Sequence, residues 1–358
     1  MDWPLQDNAH GKVSKRTCSF SPEENDFRIS IYPFSSSGYG RFSSLRLRAN
    51  LRMRSINNVI SKEFYLSISD KFSNFCTALR MSDTTVSNVR YRSKQITKRV
   101  NSDFRGIDSD TRYSLFVGSY GRGTDIHVSD IDMIVELPYS EYEKYDKYNG
   151  NGQSALIQAV KNSIKKTYST THVSGDGQVV KLNFQDGVCY EIVPGFINKD
   201  GTSYTYPDAN NGGSWKVTKP RDEISEITSA NNLWNKNLKR LCRMARAWKD
   251  KWDVPMGGLL VDTLAYNFLK QWEYKDKSYV YYDWMTRDFF EYLKNQDPDK
   301  NYWLAPGSAQ YVWRKGAFEY KALRCYNIAK EALQYEADEM PYSANQKWRE
   351  IYGTKFPS

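Results

Sequence analysis

The sequence predicts an α+β fold in which short strands come first and a longer helical segment follows. Residues 112–137 have the pattern of a strand, a glycine-rich turn and a second strand. Val179–Phe184 and Val188–Val193 are typical of two more strands around a Gly-containing turn. From about residue 230, apolar residues recur at the spacing of amphipathic helices. Tyr and Trp are dense there, which indicates helices that pack through aromatic side chains.

The first 54 residues have no sustained period and contain nine Lys or Arg and five Asp or Glu. We interpret residues 1–54 as an irregular leader, either disordered or a non-native extension, in preference to a basic arm for nucleic acid. They lack the apolar core of a secretory signal. Met53 lies near the start of the first helical pattern and offers an alternative start of translation.

Helical spacing runs from about Ile56 to Phe104, with a break near Ser82-Asp83, and predicts a long N-terminal helix. Loops are expected over 198–221. Further helices are expected over 155–166, 230–252, 256–272, 283–295 and 315–338. The predicted organisation is therefore a leader (1–54), a strand-rich domain with the long helix (55–220) and a helical domain (221–358).

The most informative motif combines a glycine-rich turn with two carboxylates on a strand. Gly118-Ser119 is followed, after a short spacer, by Asp130-Ile131-Asp132 and an apolar run. Side chains two apart on a strand share a face, so the two aspartates converge while Ile131 turns into the core. Two carboxylates on one rigid element suit Mg²⁺ or Mn²⁺, and turn amides with a Ser hydroxyl suit phosphate. The motif predicts an enzyme that holds a nucleoside triphosphate and transfers a nucleotidyl group.

Two other phosphate-binding motifs are excluded by the residues around this turn. No Lys follows the glycines, so the Walker-type loop is not matched. A strand with acidic residues, and not a helix, is expected after Gly121-Arg122-Gly123, which argues against a dinucleotide-binding fingerprint.

Gly118-Ser119 together with Asp130-x-Asp132 resembles the signature of the polymerase-β-like nucleotidyltransferase superfamily. Within it, the chain is similar to the cGAS/DncV-like nucleotidyltransferases (CD-NTases) of bacterial CBASS antiphage systems. The resemblance runs in order over roughly residues 55 to 340. Three later segments carry the narrower resemblance: residues 190–196, 206–215 and 238–249.

The resemblance implies a nucleotidyltransferase lobe with a mixed sheet, a C-terminal helical lobe, and a long N-terminal helix that bridges them. It implies that Glu191 joins Asp130 and Asp132 as the third catalytic and metal-binding acid, although many relatives have Asp there. Asp186, in the preceding turn, is the rival candidate. Two ions of Mg²⁺ or Mn²⁺ are expected at these carboxylates.

The resemblance also implies contacts with the nucleotide. Gly118 and Ser119 are expected to cradle the triphosphate. Arg246, where several relatives have Lys, is expected to bind its outer oxygens as a planar fork, or else to lie on a solvated helix face. Ser214 and Trp215, in the segment 206–215, are also expected to contact the nucleotide. Trp215 is expected either to stack on a base or to pack in the core.

Composition excludes several other classes of protein. Five cysteines without CxxC pairs and only three histidines argue against a structural zinc site and fit a reducing cytoplasm. No apolar run approaches the roughly 20 residues that span a bilayer. The net charge is +9, of which the leader carries a surplus of four. The rest of the chain is only weakly basic, so an activating nucleic acid is not expected.

We therefore expect NTPs to be joined into a cyclic di- or trinucleotide, an antiphage signal that reaches an effector protein through the product. A linear oligonucleotide synthase of the oligoadenylate synthase type is an alternative. An inactive nucleotide-binding sensor is a second alternative. Three clustered carboxylates count against the sensor, since such repulsive charge has no use without catalysis.

Overall fold

The structure of the protein is a computed structural model that describes residues 66–126 and 130–358. The predicted leader and the first residues of the predicted long helix lie outside this part of the chain. Among the described helices, none has the length and the apolar composition that crossing a bilayer requires.

The predicted N-terminal helix consists of two helices, α1 (Ile68–Ala78) and α2 (Asp83–Arg105). Ser67 and Ser82 cap them, because each side chain accepts a hydrogen bond from an amide three residues on. The predicted break near Ser82-Asp83 is thus confirmed. Gly106 ends α2 at a φ of 65°, a conformation that favours glycine.

A mixed sheet of seven strands follows. Its order is β1-β2-β5-β4-β3, with β6 paired to the end of β5 and β7 paired to β6. Strands β2 and β5 are parallel, and the other pairs are antiparallel. The strands are β1 (Ser114–Phe116), β2 (Asp130–Glu136), β3 (His172–Asp176), β4 (Val179–Asn183), β5 (Cys189–Ile197), β6 (Tyr204–Asp208) and β7 (Ser214–Thr218). The helices among them are α3 (Gly118–Arg122), α4 (Tyr139–Asp146) and α5 (Gly152–Lys165).

The prediction of loops over 198–221 was wrong, because β6 and β7 form a hairpin there. Tyr204–Tyr206 and Trp215–Thr218 are rich in β-forming residues, whereas Asn, Gly and Pro cluster in the connection between them. Asn211 has a φ of 52° in this turn. Strand β3 and helix α4 were also not predicted.

The second half is helical, as predicted, with one additional hairpin. The expected helix over 230–252 is two helices, because Asn235 and Lys236 take positive φ between them. The last helix was not predicted. The elements are α6 (Pro220–Leu233), α7 (Asn237–Lys251), α8 (Gly258–Gln271), α9 (Tyr282–Lys294), β8 (Tyr302–Leu304), β9 (Tyr311–Trp313), α10 (Glu319–Ala337) and α11 (Pro341–Tyr352).

Buried apolar side chains form two clusters in the described chain. One lies between one face of the sheet and helices α2 and α5, and includes Val89, Ile131 and Tyr190. The other fills the helical half and includes Phe72 and Phe75 of α1. Helix α1 therefore packs with the helical half and α2 with the sheet. The predicted α+β class, a mixed sheet with helices, is confirmed.

The packing of α1 predicts a large stability loss for Phe72→Ala. Phe72 is fully buried, and its ring meets those of Trp348 and Phe356 edge-on at 5.3 and 5.1 Å. We expect the free energy of unfolding to fall by about 3–5 kcal/mol, measured by urea denaturation. The matched control is Tyr91→Ala on α2, where the side chain is 65% exposed; it should stay within about 0.5 kcal/mol. Equal losses would contradict this packing.

Candidate active site

Two neighbouring strands bring three carboxylates to one face of the sheet. Strands β2 and β5 run parallel in a register that puts Asp132 opposite Glu191. Opposed residues on adjacent strands point to the same side of a sheet, and residues two apart on one strand do so as well. Ile131 and Tyr190, between the acids, are fully buried on the other side. Asp130, Asp132 and Glu191 therefore share one face, near the start of both strands.

The glycine turn packs directly against these acids. Val117 donates its amide to the carbonyl of Asp132 at 2.9 Å, and Gly118 follows with a φ of 60°. A Cβ at Gly118 would lie 1.8 Å from Oδ2 of Asp132. Ser119 comes next, in the first turn of the short helix α3. The sequence motif thus becomes one local unit, with the turn in contact with the second aspartate.

Of the two candidates for the third acid, Glu191 lies on the face that carries Asp130 and Asp132. Asp186 lies in the β4–β5 turn and pairs with Arg92 through two hydrogen bonds of 3.0 and 2.8 Å. These bonds to Arg92 hold the pKa of Asp186 below its usual value. Asp186 therefore has a structural partner on α2, and the geometry favours Glu191.

The clustering of the acids is visible in the electrostatics of Asp132. Burial raises its pKa from 3.8 to about 6, and the negative charges of Glu191 and Asp130 add to the effect. The positive charges of Arg122 and Arg246 oppose it. Ionised Asp132 is thus disfavoured by its neighbours, and a bound cation would relieve this repulsion.

The donor set fits a hard divalent cation, because all three candidate ligands are carboxylates. Among the described residues, no three His, Cys, Asp or Glu side chains are placed so that they could hold a metal ion together. Glu191 is instead engaged by Lys181 of β4, whose Nζ lies 3.3 Å from Oε1. Metal binding by Asp130, Asp132 and Glu191 stays a prediction.

Arg246, expected at the triphosphate, lies in a buried ion-pair network. Its guanidinium donates to both oxygens of Asp262 at 2.8 Å and to the carbonyl of Gly258 at 2.9 Å. Asp262 also accepts from Arg122 of α3 at 3.0 Å and from Thr124 at 2.8 Å. Burial alone would raise the pKa of Asp262, but Arg246 and Arg122 hold it below its usual value. Contact between Arg246 and a phosphate stays a prediction. In the structure, the partner of Arg246 is the carboxylate of Asp262.

Trp215 and Ser214 lie away from the three acids. They begin β7, which pairs only with β6 among the described strands, and β6 joins β5 at Phe196 and Ile197. Phe196 is five residues beyond Glu191, or roughly 16 Å along the strand. Trp215 donates its indole N–H to Asp146 at 2.9 Å and packs against Tyr142 and Phe196. The structure does not bring these two residues to the carboxylates, and their nucleotide contact stays a prediction.

Sequence reasoning missed Lys181 and Asp262. Lys181 lies opposite Glu191 because of the register in which β4 pairs with β5. That register was not assigned from the sequence. Asp262 did leave a signal: it is a single acid within the apolar run Leu259–Ala265. An acid in such a run is buried only with a partner, so a buried ion pair could have been inferred from it.

Comparisons with known proteins agree with this fold. Residues 66–231 match the Second Messenger Oligonucleotide or Dinucleotide Synthetase (SMODS) domain family. A curated protein of Bacillus cereus (strain VD146), named as a probable cyclic nucleotide synthase, is 24% identical over 280 residues. The aligned part covers 67% of this chain and 81% of that protein.

Several solved structures share the fold at low sequence identity. CdnC of E. coli MS115-1, in complex with HORMA-deltaN, has a TM-score of 0.60 at 13% identity and covers 81% of this chain and 98% of that one. CdnG of Bradyrhizobium diazoefficiens, in complex with GTP, has a TM-score of 0.58 at 9% identity, with 81% and 96% covered. Vibrio cholerae DncV has a TM-score of 0.53 at 15% identity, with 87% and 92% covered.

The mixed sheet with helices is the fold that these solved structures share, a polymerase-β-like fold. The SMODS match covers residues 66–231, and the curated cyclic nucleotide synthase is 24% identical. Over the matched residues the chain is similar to the cGAS/DncV-like nucleotidyltransferases (CD-NTases).

The contact between Gly118 and Asp132 predicts a loss of metal affinity in Gly118→Ala. The new Cβ would take the position of the Asp132 carboxylate, which must then move. We expect Mn²⁺ affinity, measured by titration calorimetry, to fall at least about tenfold, since a rigid ligand is displaced. Gly106→Ala is the matched control, with a φ of 65° and open space around it. It should cost stability but leave Mn²⁺ affinity unchanged; a matching loss there would refute the steric explanation.

The raised pKa of Asp132 predicts a pH-dependent stability in the presence of EDTA. A folded-state pKa above the unfolded value gives a contribution that is complete below about pH 4 and lost as pH rises through about 6. We expect this group to lower the free energy of unfolding by about 2–3 kcal/mol between about pH 4 and 7, measured by urea denaturation. Asp132→Asn should remove this part of the decline. An unchanged decline in the variant would rule Asp132 out as its source.

Proposed function

We propose that the chain joins NTPs, ATP and a second NTP such as GTP, into a cyclic di- or trinucleotide and releases pyrophosphate. The product would act as a second messenger on an effector protein in antiphage defence. The observation that carries the proposal is the in-register pair Asp132–Glu191 beside Asp130 and the Gly118 turn. The relatives support it: one is named as a probable cyclic nucleotide synthase, and the DncV structure is a cyclic AMP-GMP synthase in complex with a linear intermediate.

In the proposed reaction, a ribose hydroxyl attacks the α-phosphorus of a bound NTP in line with the departing pyrophosphate. Two Mg²⁺ or Mn²⁺ ions would supply charge stabilisation at the attacking and leaving oxygens. Asp130 and Asp132 would hold these ions, because both project from one strand toward the turn that carries Ser119. Glu191 would complete the ligand set from the adjacent strand and help remove the proton of the attacking hydroxyl.

The triphosphate would lie against the Gly118-Ser119 turn. The buried pair of Arg122 and Arg246 stands behind this turn, and both charges already act on Asp132. We propose that Arg246 supports the triphosphate through its charge and through the position of Thr124, to which it donates at 3.3 Å. This role differs from a direct fork on the outer phosphate, since Nη2 of the guanidinium already donates to both oxygens of Asp262.

The clustering of the acids also favours an enzyme over a sensor. Repulsion from Glu191 and Asp130 contributes to the raised pKa of Asp132, and this repulsion disfavours the folded, ionised state. Natural sequences keep such a cost at sites where chemistry needs it.

The proposal predicts a product without terminal phosphates. Purified protein is incubated with all four NTPs and Mg²⁺ or Mn²⁺, treated with phosphatase, and examined by mass spectrometry. We expect a phosphatase-resistant cyclic oligonucleotide, whose mass names its bases. Linear chains that lose phosphate would move the assignment to a linear synthase. Binding of NTP without pyrophosphate release would favour a sensor or an unmet activator.

Carboxamide variants connect the product to the proposed acids. Asp130→Asn and Asp132→Asn should each reduce turnover by at least about a thousandfold, because each removes a metal-ligand charge. Asp186→Asn is the matched control: it makes the same change in the turn before β5, on an acid paired with Arg92. It should retain activity once its folding is verified by thermal denaturation. Substantial activity in both site variants would refute the assigned acids.

A further inference from the structure

Lys181 contacts Glu191, the proposed third metal ligand, from the neighbouring strand. It lies on β4 directly opposite Glu191 of β5, and its Nζ is 3.3 Å from Oε1 of that residue. The three acids and this ammonium group therefore share one face of the sheet. Among the described residues, Glu191 forms its ion pair with Lys181, while Asp130 and Asp132 form none.

A second carboxylate holds the same ammonium. Asp176, at the end of β3, lies 2.6 Å from Nζ of Lys181. Lys181 is opposite Ser174 on β3, and Asp176 is two residues further on, so it projects from the same face. Lys181 can thus leave Glu191 and still keep one anionic partner. Hydrogen bonds to Asp176 and Glu191 raise its pKa, so it is positively charged at neutral pH.

We propose that Lys181 is a positioning residue that occupies Glu191 in the metal-free site and yields it when a divalent cation binds. The inference rests on the proposed metal-dependent function. A bound metal ion would need an oxygen of Glu191 at about 2.1 Å. In the metal-free site, that carboxylate is paired with the ammonium group of Lys181. Binding of the ion therefore requires Glu191 to exchange one cation for another, and Asp176 retains the displaced ammonium.

This exchange has a direct energetic consequence. A partly exposed ion pair contributes little, so Lys181 weakens metal binding moderately and does not block it. The gain is that Glu191 is held in place, with its charge balanced, before the ion arrives. A lysine that only linked β3, β4 and β5 through ion pairs would contribute to the free energy of unfolding. Its removal would have no effect on the metal affinity of the folded protein.

The test measures Mn²⁺ binding to the full chain without nucleotide, by titration calorimetry or by the electron spin resonance of free Mn²⁺. Lys181→Met removes the charge and keeps the length of the side chain. We expect Mn²⁺ to bind about two- to fivefold more tightly, which matches the strength of an exposed ion pair. Lys181→Arg keeps the charge and should restore the affinity of the original chain. Lys181→Gln repeats the test if the Met variant does not fold.

The matched control is Lys166→Met. Lys166, the residue after α5, pairs with Asp103 of α2 at 2.9 Å. Helices α5 and α2 pack against the opposite face of the sheet. This variant should leave Mn²⁺ affinity unchanged. Unchanged or weaker binding in Lys181→Met and Lys181→Gln, or an equal gain in Lys166→Met, overturns the inference.

A separate variant distinguishes failure of this inference from failure of the proposed function. Asp132→Asn should abolish Mn²⁺ binding if the carboxylates hold the ion. If that variant binds Mn²⁺ normally, the metal site itself is misassigned and the role of Lys181 falls with it. If Asp132→Asn loses Mn²⁺ while Lys181→Met binds as before, the metal site stands and only the role of Lys181 is wrong.

Discussion

The geometry of the site depends on the ion pairs that the fully buried carboxylate of Asp262 forms with two arginines. A buried charge needs partners, and here they come from both halves of the described chain: Arg122 on α3, and Arg246 on α7. Thr124 donates a further hydrogen bond to it. The segment from Gly118 to Thr124 is thereby fixed to the helical half. Because Gly118 touches Asp132, the same network sets the distance between the turn and strand β2.

The acids and the arginines are best understood as one electrostatic system. Asp132 is ionised against burial and against two like charges, and Arg122 and Arg246 partly offset that cost from behind the turn. Lys181 offsets it from the other side, at Glu191. The face of the sheet thus carries negative charge that protein cations only partly balance. Such a site is prepared for additional positive charge, which is what the proposed nucleotidyl transfer with divalent ions would require.

The features that could be predicted from the sequence are those that local spacing determines. The Gly118 turn, the alternation of Asp130 and Asp132, and the break before α2 depend on neighbours in the chain. The register that places Glu191 opposite Asp132 could be assigned only through the family resemblance. Lys181 was missed because its contact with Glu191 depends on the register of the predicted β4–β5 hairpin, which was not assigned. The hairpin of β6 and β7 was missed because its Gly- and Asn-rich turn outweighed its strand residues.

Arg246, whose contact with the triphosphate stays a prediction, lies in a buried network of charges. The buried network contains two cations, Arg122 and Arg246, and two anions, Asp262 and Glu223. Its charges balance. If Arg246 left Asp262 to bind a phosphate, Asp262 would keep only Arg122, which also pairs with Glu223. Two buried carboxylates would then share one cation, and burial makes such a deficit of positive charge costly. The same guanidinium can act on the phosphate from where it is, since electrostatic attraction persists across a buried site of low polarity. In the proposed site, the turn would make the direct contacts with the phosphate, and the arginines would hold the turn in position and add positive charge behind it.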